Sequence, residues 1–301
     1  MTTLRDIGED ALIARLVGLV PRDAQPAAGP GDDCAVCDPG PRHETLQLLK
    51  TDALVGSVHF LGDAPGRAVG WKAVARVVSD MAAMGGRAER YLVTVALPQE
   101  TEVGWVEDLY RGIGDCLNTF GGVLAGGETV SVPPGSAPVI SIAALGSVRR
   151  EHLVLRSTAR PGQMLLVTGT LGGSLRGKHL NFTPRMEAAH WLVAHFKPTA
   201  MMDLSDGLAK DLPRLAAASG CGFLIDEATL PLTAHCTVAQ GLGDGEDFEL
   251  LLALEAQRVP ELLECWARQF PELPMTLIGR LVEVGGGASL VGGWDHFARV
   301  E

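Results

Sequence analysis

Ala200-Met201-Met202-Asp203-Leu204-Ser205-Asp206-Gly207-Leu208 is an apolar run that stops on an acidic turn. Its first residues fit a short buried strand. The Asp, Ser, Asp and Gly that follow fit a turn whose side chains either face a ligand or cap a helix starting near Gly207 or, given Pro213, near Asp211. Strands that end in carboxylates and lead into helices belong to mixed α/β folds, which place ligand chemistry on such turns.

The same pattern recurs along the chain. Thr51-Asp52 closes the apolar strand Leu46–Lys50, and Gly126-Gly127-Glu128-Thr129 follows Val123-Leu124-Ala125. Gly31-Asp32-Asp33 follows a Pro/Gly-rich loop, and Gly245-Glu246-Asp247 opens another apolar run. Ser79-Asp80 lies near the end of a helix predicted over Gly66–Met84, where Trp71, Val74, Val78 and Met81 keep helical spacing and Gly85-Gly86 ends it. A second helix, about Glu102–Phe120, carries Trp105, Leu109, Ile113 and Leu117 on one face. Further strands are predicted at Tyr91–Leu97, Pro138–Leu145, Met164–Thr168, Ala200–Leu204, Gly222–Ile225, Phe248–Leu254 and Met275–Val284. Near residue 150 the texture changes, with Arg149-Arg150-Glu151-His152 and then the turn Ala159-Arg160-Pro161-Gly162. Two α/β domains, 1–150 and 151–301, are expected, with no sequence repeat between them.

Composition fits this reading. Of 301 residues, 47% are hydrophobic and 20% charged, the balance of a globular chain. No apolar run reaches the ~18 residues a membrane span needs. Met1–Val20, with Asp6, Glu9, Asp10 and Arg15, reads as an amphipathic helix rather than a signal peptide, so a cytoplasmic protein is expected. The formal net charge of -11 argues against a general nucleic-acid face. It leaves nucleotides open, because carboxylates hold the cations that polyphosphates need. Cys34 and Cys37 form the only C-x-x-C pair among the 6 cysteines, and no second pair completes a zinc site, so reduced, incidental thiols are expected.

Asp80 is the most diagnostic acid. It sits near a helix C-terminus, where the macrodipole disfavours a carboxylate by ~0.3–1 kcal/mol, and Val77 and Met84 beside it suggest partial burial. Either a cation offsets it or it pairs on the surface with Arg76 or Arg87. Asp32-Asp33 alone also suits a turn, and Asp203, Ser205 and Asp206 suit caps. Taken together the acids point to Mg²⁺, which takes oxygen ligands from a few carboxylates plus substrate phosphates. Gly172 to His179 nearly spells a P-loop, but His179 stands where Ser or Thr must meet the metal, so a glycine turn is the reading. No H-R-D or D-F-G set of a protein kinase is present.

In order, several segments resemble the thiamine-monophosphate kinase family, within the superfamily of ATP-binding synthetases that includes aminoimidazole ribonucleotide synthetase. They are Gly31-Asp32-Asp33-Cys34-Ala35, Thr51-Asp52-Ala53-Leu54-Val55 with His59-Phe60, and Ser79-Asp80-Met81-Ala82-Ala83-Met84-Gly85. Gly126-Gly127-Glu128-Thr129, Arg156-Ser157 before Pro161-Gly162, and Asp203-Leu204-Ser205-Asp206-Gly207-Leu208 follow. Gly245-Glu246-Asp247-Phe248-Glu249-Leu250 and Gly293-Trp294-Asp295-His296-Phe297 complete the set.

The resemblance implies an ATP- and Mg²⁺-dependent enzyme that phosphorylates thiamine monophosphate to the diphosphate. It also implies a homodimer whose N-terminal domains pair their sheets into a β-barrel. By the same resemblance Asp32, Thr51, Asp52, Asp80, Glu128, Asp203 and Asp206 hold several Mg²⁺ ions, with Asp52 and Asp206 central to catalysis. Tyr110, Gly127, Glu128, Arg156 and Ser205 contact ATP, and His59, Glu246 and Trp294 contact thiamine monophosphate. The chemistry is consistent: phosphate attacking phosphate calls for charge neutralisation and alignment, not for a protein nucleophile. Trp294 suits stacking on a cationic thiazolium or, alternatively, packing on the core. His59 is either a ligand contact or a satisfied histidine near a strand end. Two positions depart from the family pattern: Glu128 stands where Asp is usual, and Asp244 where a glycine is common. The rival readings are an aminoimidazole ribonucleotide synthetase-like enzyme and a non-catalytic nucleotide sensor in which Glu128 marks a decayed metal site.

Overall fold

The computed structural model describes residues 2–21 and 28–297; Met1 and most of the Pro/Gly-rich loop before Gly31 lie outside them. The first half contains α1 (Leu4–Val17), β1 (Ala35–Cys37), β2 (Thr45–Val55), α2 (Gly66–Ala83), β3 (Arg87–Pro98), α3 (Val103–Phe120), β4 (Val123–Val132) and β5 (Val139–Arg149). These strands form one sheet in the order β1-β2-β5-β3-β4. Every neighbouring pair is antiparallel except β3–β4, which α3 connects and which is therefore parallel. Side chains alternate along β2 and β5, so Leu46, Leu48, Ile140 and Ile142 are buried under α2 while Leu49 and Leu145 face outward.

Helix α2 is the most deeply buried helix of this half, with Val69, Val74, Val77 and Met81 all inaccessible. It crosses α3 at very short range. A Cβ on Gly70 would lie 1.9 Å from the Leu109 carbonyl oxygen, and one on Gly112 would lie 1.9 Å from that of Arg67. Only glycine lets the two backbones meet in this way.

The second half contains β6 (Met164–Thr168), α4 (Lys178–Asn181), α5 (Met186–His195), β7 (Ala200–Asp203), α6 (Leu208–Ala218), β8 (Gly222–Ile225), α7 (Val238–Gly243), β9 (Leu250–Leu254), α8 (Val259–Gln269) and β10 (Met275–Val282). Its sheet runs β7-β9-β6-β10-β8, antiparallel throughout. All of β9 is buried because both faces are covered. Leu251 and Ala253 enter a core closed by Leu208, Leu212 and Leu215 of α6, and Leu250, Leu252 and Leu254 enter one closed by α5 and α8. That second core also takes in Ala82 and Ala83 at the end of α2, so α2 reaches from one half into the other.

The fold is mixed α/β with two sheets, as the sequence pattern indicated. The acidic turns nevertheless do not line one edge of a parallel sheet, because β3–β4 is the one parallel pair among the described strands. They converge from a loop, a helix end and a strand end. Helix α1 is broken at Gly8, where φ is 71°. Among the described residues no helix is long and apolar enough to cross a membrane.

Candidate active site

The last turns of α2 lie against the end of β7, and there the two halves bring their acids together. Carboxylate oxygens of Asp33, Asp80 and Asp203 all lie within 4.8 Å of one another, and all three residues are buried. The Ser79 hydroxyl donates to Asp203 across the seam. Burial, reinforced by Asp33, pushes the Asp203 carboxyl up to about 7. Burial also raises Asp80 well above the ordinary carboxylate range, against the opposing charge of Lys50. Asp32 rises to about 6 from burial and the neighbouring Asp33. Carboxylates crowded in this way resist ionising together unless a cation joins them.

The residues fit a hard divalent cation. Three oxygen donors converge, and Asp33 Oδ2 is buried without a hydrogen-bond partner among the described residues. The surrounding cations belong to the chain. Lys50 Nζ is 2.8 Å from Asp80 Oδ1, Arg76 Nε is 3.0 Å from Asp52 Oδ2, and Arg156 pairs with Asp33. Asp80 therefore has the half-buried Lys50 as its partner, and neither Arg76 nor Arg87 fills that role.

Each residue singled out by the sequence has a definite place. Asp33, which the metal assignment passed over in favour of Asp32, supplies the clustered carboxylate. Asp32 instead accepts from the Arg156 backbone N–H at 3.3 Å. Asp52 is on the inner face of β2, and strand alternation puts Thr51 on the exposed outer face. Gly127 and Glu128 sit on the exposed edge strand β4. Asp52 faces Ile142, Ile142 faces Val93, and Val93 faces Gly127. Three strand spacings, about 14 Å in all, thus separate Gly127 from the acids within one chain. Tyr110 is half-buried on α3 and packs against the N-terminal core.

Ser205 and Asp206 form the turn after β7. Their backbone N–H groups both donate to Asp211 Oδ2, at 3.0 and 2.9 Å. Asp211 is wholly buried, and burial with Asp206 beside it pushes its carboxyl up to about 7. The sequence reading missed this residue, although an acid in the first turn of a helix is the signal that finds it. The Asp206 carboxylate lies 2.6 Å from Arg214.

Next to the acids is a recess lined by His59, Arg76, Ser205, Asp206, Glu246, Trp294 and His296. His59 Nδ1 accepts from Val55 N–H at 3.0 Å. Burial, Arg76 and Lys72 lower its pKa to about 4, so the ring is neutral. The fully buried Lys72 on α2 reaches the Glu246 carboxylate at 2.7 Å and the His59 carbonyl at 2.6 Å, which ties both sides of the recess together. Burial lowers this lysine to about 8.

The loop around Glu246 is strained: Glu246 and Phe248 have φ of 53° and 51°. It is held by Glu246 N–H to Ser205 O at 2.7 Å and Phe248 N–H to Leu204 O at 2.8 Å. Phe248 also stacks on Phe182, with ring centroids 3.9 Å apart. Asp244, which stands where the family commonly has a glycine, accepts from Gly173 N–H at 2.8 Å and so secures its turn. The Trp294 backbone N–H donates to Asp206 O at 2.8 Å, while its side of the recess stays open, the residue being 43% exposed. The near-P-loop is occupied structurally, with Lys178 3.1 Å from the buried Glu249.

The chain matches the AIR synthase related protein N-terminal domain over residues 31–148 and its C-terminal domain over residues 160–292. It is 36% identical to a thiamine-monophosphate kinase of Rhodopirellula baltica over 292 residues, covering 91% of this chain and 89% of that one. A thiamine-monophosphate kinase of Synechococcus elongatus is 31% identical over 332 residues, 98% of each chain. Among solved structures, AaThiL complexed with AMPPCP and TMP superposes with a TM-score of 0.84 at 29% identity, over 98% of this chain and 99% of that one.

Proposed function

We infer that this chain, which belongs to the AIR synthase related family and within it to the thiamine-monophosphate kinases, uses ATP to phosphorylate thiamine monophosphate to thiamine diphosphate. The observation that carries the reading is adjacency: the Asp33, Asp80 and Asp203 cluster adjoins a recess lined by His59, Glu246 and Trp294. Arg76 links the two, since it lines the recess, holds Asp52 and lies within the field of Asp80 and Asp203.

Asp33, Asp80 and Asp203, with Asp52 and Asp206 nearby, are the residues that would hold Mg²⁺. When bound, the ions would neutralise the phosphates and align them for in-line transfer. Arg156 would add a guanidinium for the nucleotide phosphates, and Ser205 would meet them from the turn that Asp211 holds. Neutral His59 would meet the substrate without adding a competing charge. Trp294 offers an aromatic face to the cationic thiazolium, and the Lys72–Glu246 pair would fix the recess around it. Residues 1–150 are taken as the ATP, metal and dimerisation domain, and 151–301 as the domain that completes the cleft. An ATP-consuming step of this kind belongs in the cytoplasm.

Mass detection of thiamine diphosphate after incubation with ATP, Mg²⁺ and thiamine monophosphate tests the activity, and its absence would refute the reading. In the same assay Trp294→Ala is expected to raise KM for thiamine monophosphate. A contact of ~1–2 kcal/mol corresponds to roughly 5- to 30-fold, while KM for ATP stays within about twofold. If both KM values are unchanged, Trp294 has no substrate role.

The assembly is proposed to be a homodimer. Leu49 and Leu92 are 45% and 50% exposed on the outer face of the first sheet, and among the described residues β4 leaves its edge unpaired. Such a surface calls for cover. A second copy closing this sheet into a barrel would also give Gly127 and Glu128 a route to the acids of its partner. Light scattering should give about twice the 31.7 kDa of the chain, and Leu92→Glu should split the particle. An active wild-type monomer at micromolar concentration would overturn this.

A further inference from the structure

We propose that Lys50 is a resident cation of the acidic cluster, which holds Asp80 until a divalent ion displaces it and thereby sets how tightly this chain binds that ion. The inference rests on the metal reading above and extends it to a residue with no role there.

Strand alternation sends Lys50 to the inner face of β2, alongside Leu46, Leu48 and Leu54. Asp52 shares that face but is held by Arg76, so the Lys50 ammonium is unfavourable there without a partner of its own. Its partner is Asp80 at 2.8 Å, with the two side chains only 21% and 11% exposed. The other acids are served differently. Arg156 takes Asp33, the Ser79 hydroxyl takes Asp203, and Arg76 takes Asp52. Lys50 alone is a flexible point charge on the triad, a kind of group that changes partner more readily than a guanidinium fork.

A divalent ion bound through Asp80 must meet or expel this ammonium. A charge within ~4–6 Å alters a neighbour's ionic equilibrium by ~1–3 logarithmic units, so removing the ammonium should tighten ion binding about tenfold or more. Without a divalent ion the same ammonium offsets crowded carboxylates, so its removal should lower the stability of the ion-free protein.

The test is titration calorimetry of the full chain with Mg²⁺, without nucleotide, alongside thermal melts in chelator. Lys50→Met is expected to bind Mg²⁺ about tenfold or more tightly than wild type, and to melt earlier in chelator with recovery on adding Mg²⁺. Lys50→Arg, which keeps the charge, is expected to stay near wild type. Should Lys50→Met fail to fold, Lys50→Gln replaces it, since it keeps a donor for Asp80 without the charge. Unchanged or weaker Mg²⁺ binding in the neutral variant overturns the inference. Asp80→Asn separates the two levels. If it weakens binding while the neutral Lys50 variant does not tighten it, only the role of Lys50 fails. If it binds as wild type does, the metal reading fails and takes the inference with it.

Discussion

Asp203→Asn is expected to lower kcat by about 10²-fold or more while raising the stability of the ion-free protein at pH 8. Both effects come from one buried carboxylate. Removing a ligand of catalytic Mg²⁺ withdraws several kcal/mol of transition-state stabilisation, and about 2.7 kcal/mol already corresponds to 10²-fold. The stability effect follows from the pKa. Burial, reinforced by Asp33, pushes the Asp203 carboxyl up to about 7 in the fold, against about 4 for a free aspartate. Between those values the folded chain binds more protons than the unfolded one, so ion-free stability falls as pH rises. Above about pH 7 the wild type carries the full cost of the buried charge, and asparagine, which cannot ionise, carries none. Below about pH 4 the difference disappears. Melts in chelator and in Mg²⁺ at pH 5 and pH 8 check the sign, with Mg²⁺ raising Tm strongly only for wild type at pH 8. Near-normal turnover at saturating Mg²⁺ would remove Asp203 from the metal site.

Gly70→Ala should cost about 3 kcal/mol or more in a urea titration, or leave the protein insoluble. Alanine is the better helix former by ~1 kcal/mol, so propensity alone predicts stabilisation. Packing decides otherwise. The new Cβ would lie 1.9 Å from the Leu109 carbonyl oxygen and 2.9 Å from the Ile113 nitrogen, and both are backbone atoms that cannot rotate away. Relief requires α3 to lift from α2 and loosen the contacts of Leu109 and Ile113. Overpacking typically costs ~1–3 kcal/mol and more where nothing can yield. Gly114→Ala is the internal control. It lies on α3, the partner helix of the crossing, with nothing within 4 Å of its Cβ among the described residues, so the variant should be stabilised by up to ~1 kcal/mol. If both variants melt alike, the crossing is looser than described.

Much of this architecture could be read from local pattern. The strands Met164–Thr168 and Gly222–Ile225 and the two long helices lie where hydrophobic period and glycine stops put them. Strand β4 was harder, because Gly126-Gly127-Glu128 has little strand propensity and is held extended by its pairing with β3. Adjacent identical residues made Asp32 and Asp33 indistinguishable by composition; the loop geometry is what brings Asp33 to Asp80 and Asp203. Lys50 and Lys72 were overlooked for a different reason. Each is a single charge inside an apolar pattern, and pattern reading treats such a residue as noise. Alternation along Leu46, Leu48, Lys50, Asp52 and Leu54 would have flagged the first. The partner of Lys72 is 174 positions away, so no local pattern reveals it.

Asp33 and Asp80 stand on one side of residue 150 and Asp203 on the other, within a triangle no wider than 4.8 Å. The triangle therefore works as a gauge of how the two halves are seated. A slip of an ångström or two at the seam would leave each sheet folded and each core dry, yet the three oxygens would no longer share one ion. Such a slip is silent to circular dichroism and immediate to catalysis. Gentle heating or mild denaturant should thus switch the enzyme off before it unfolds. An ion held by the three carboxylates would also clamp the halves in register, making its own concentration a control on the shape of the molecule.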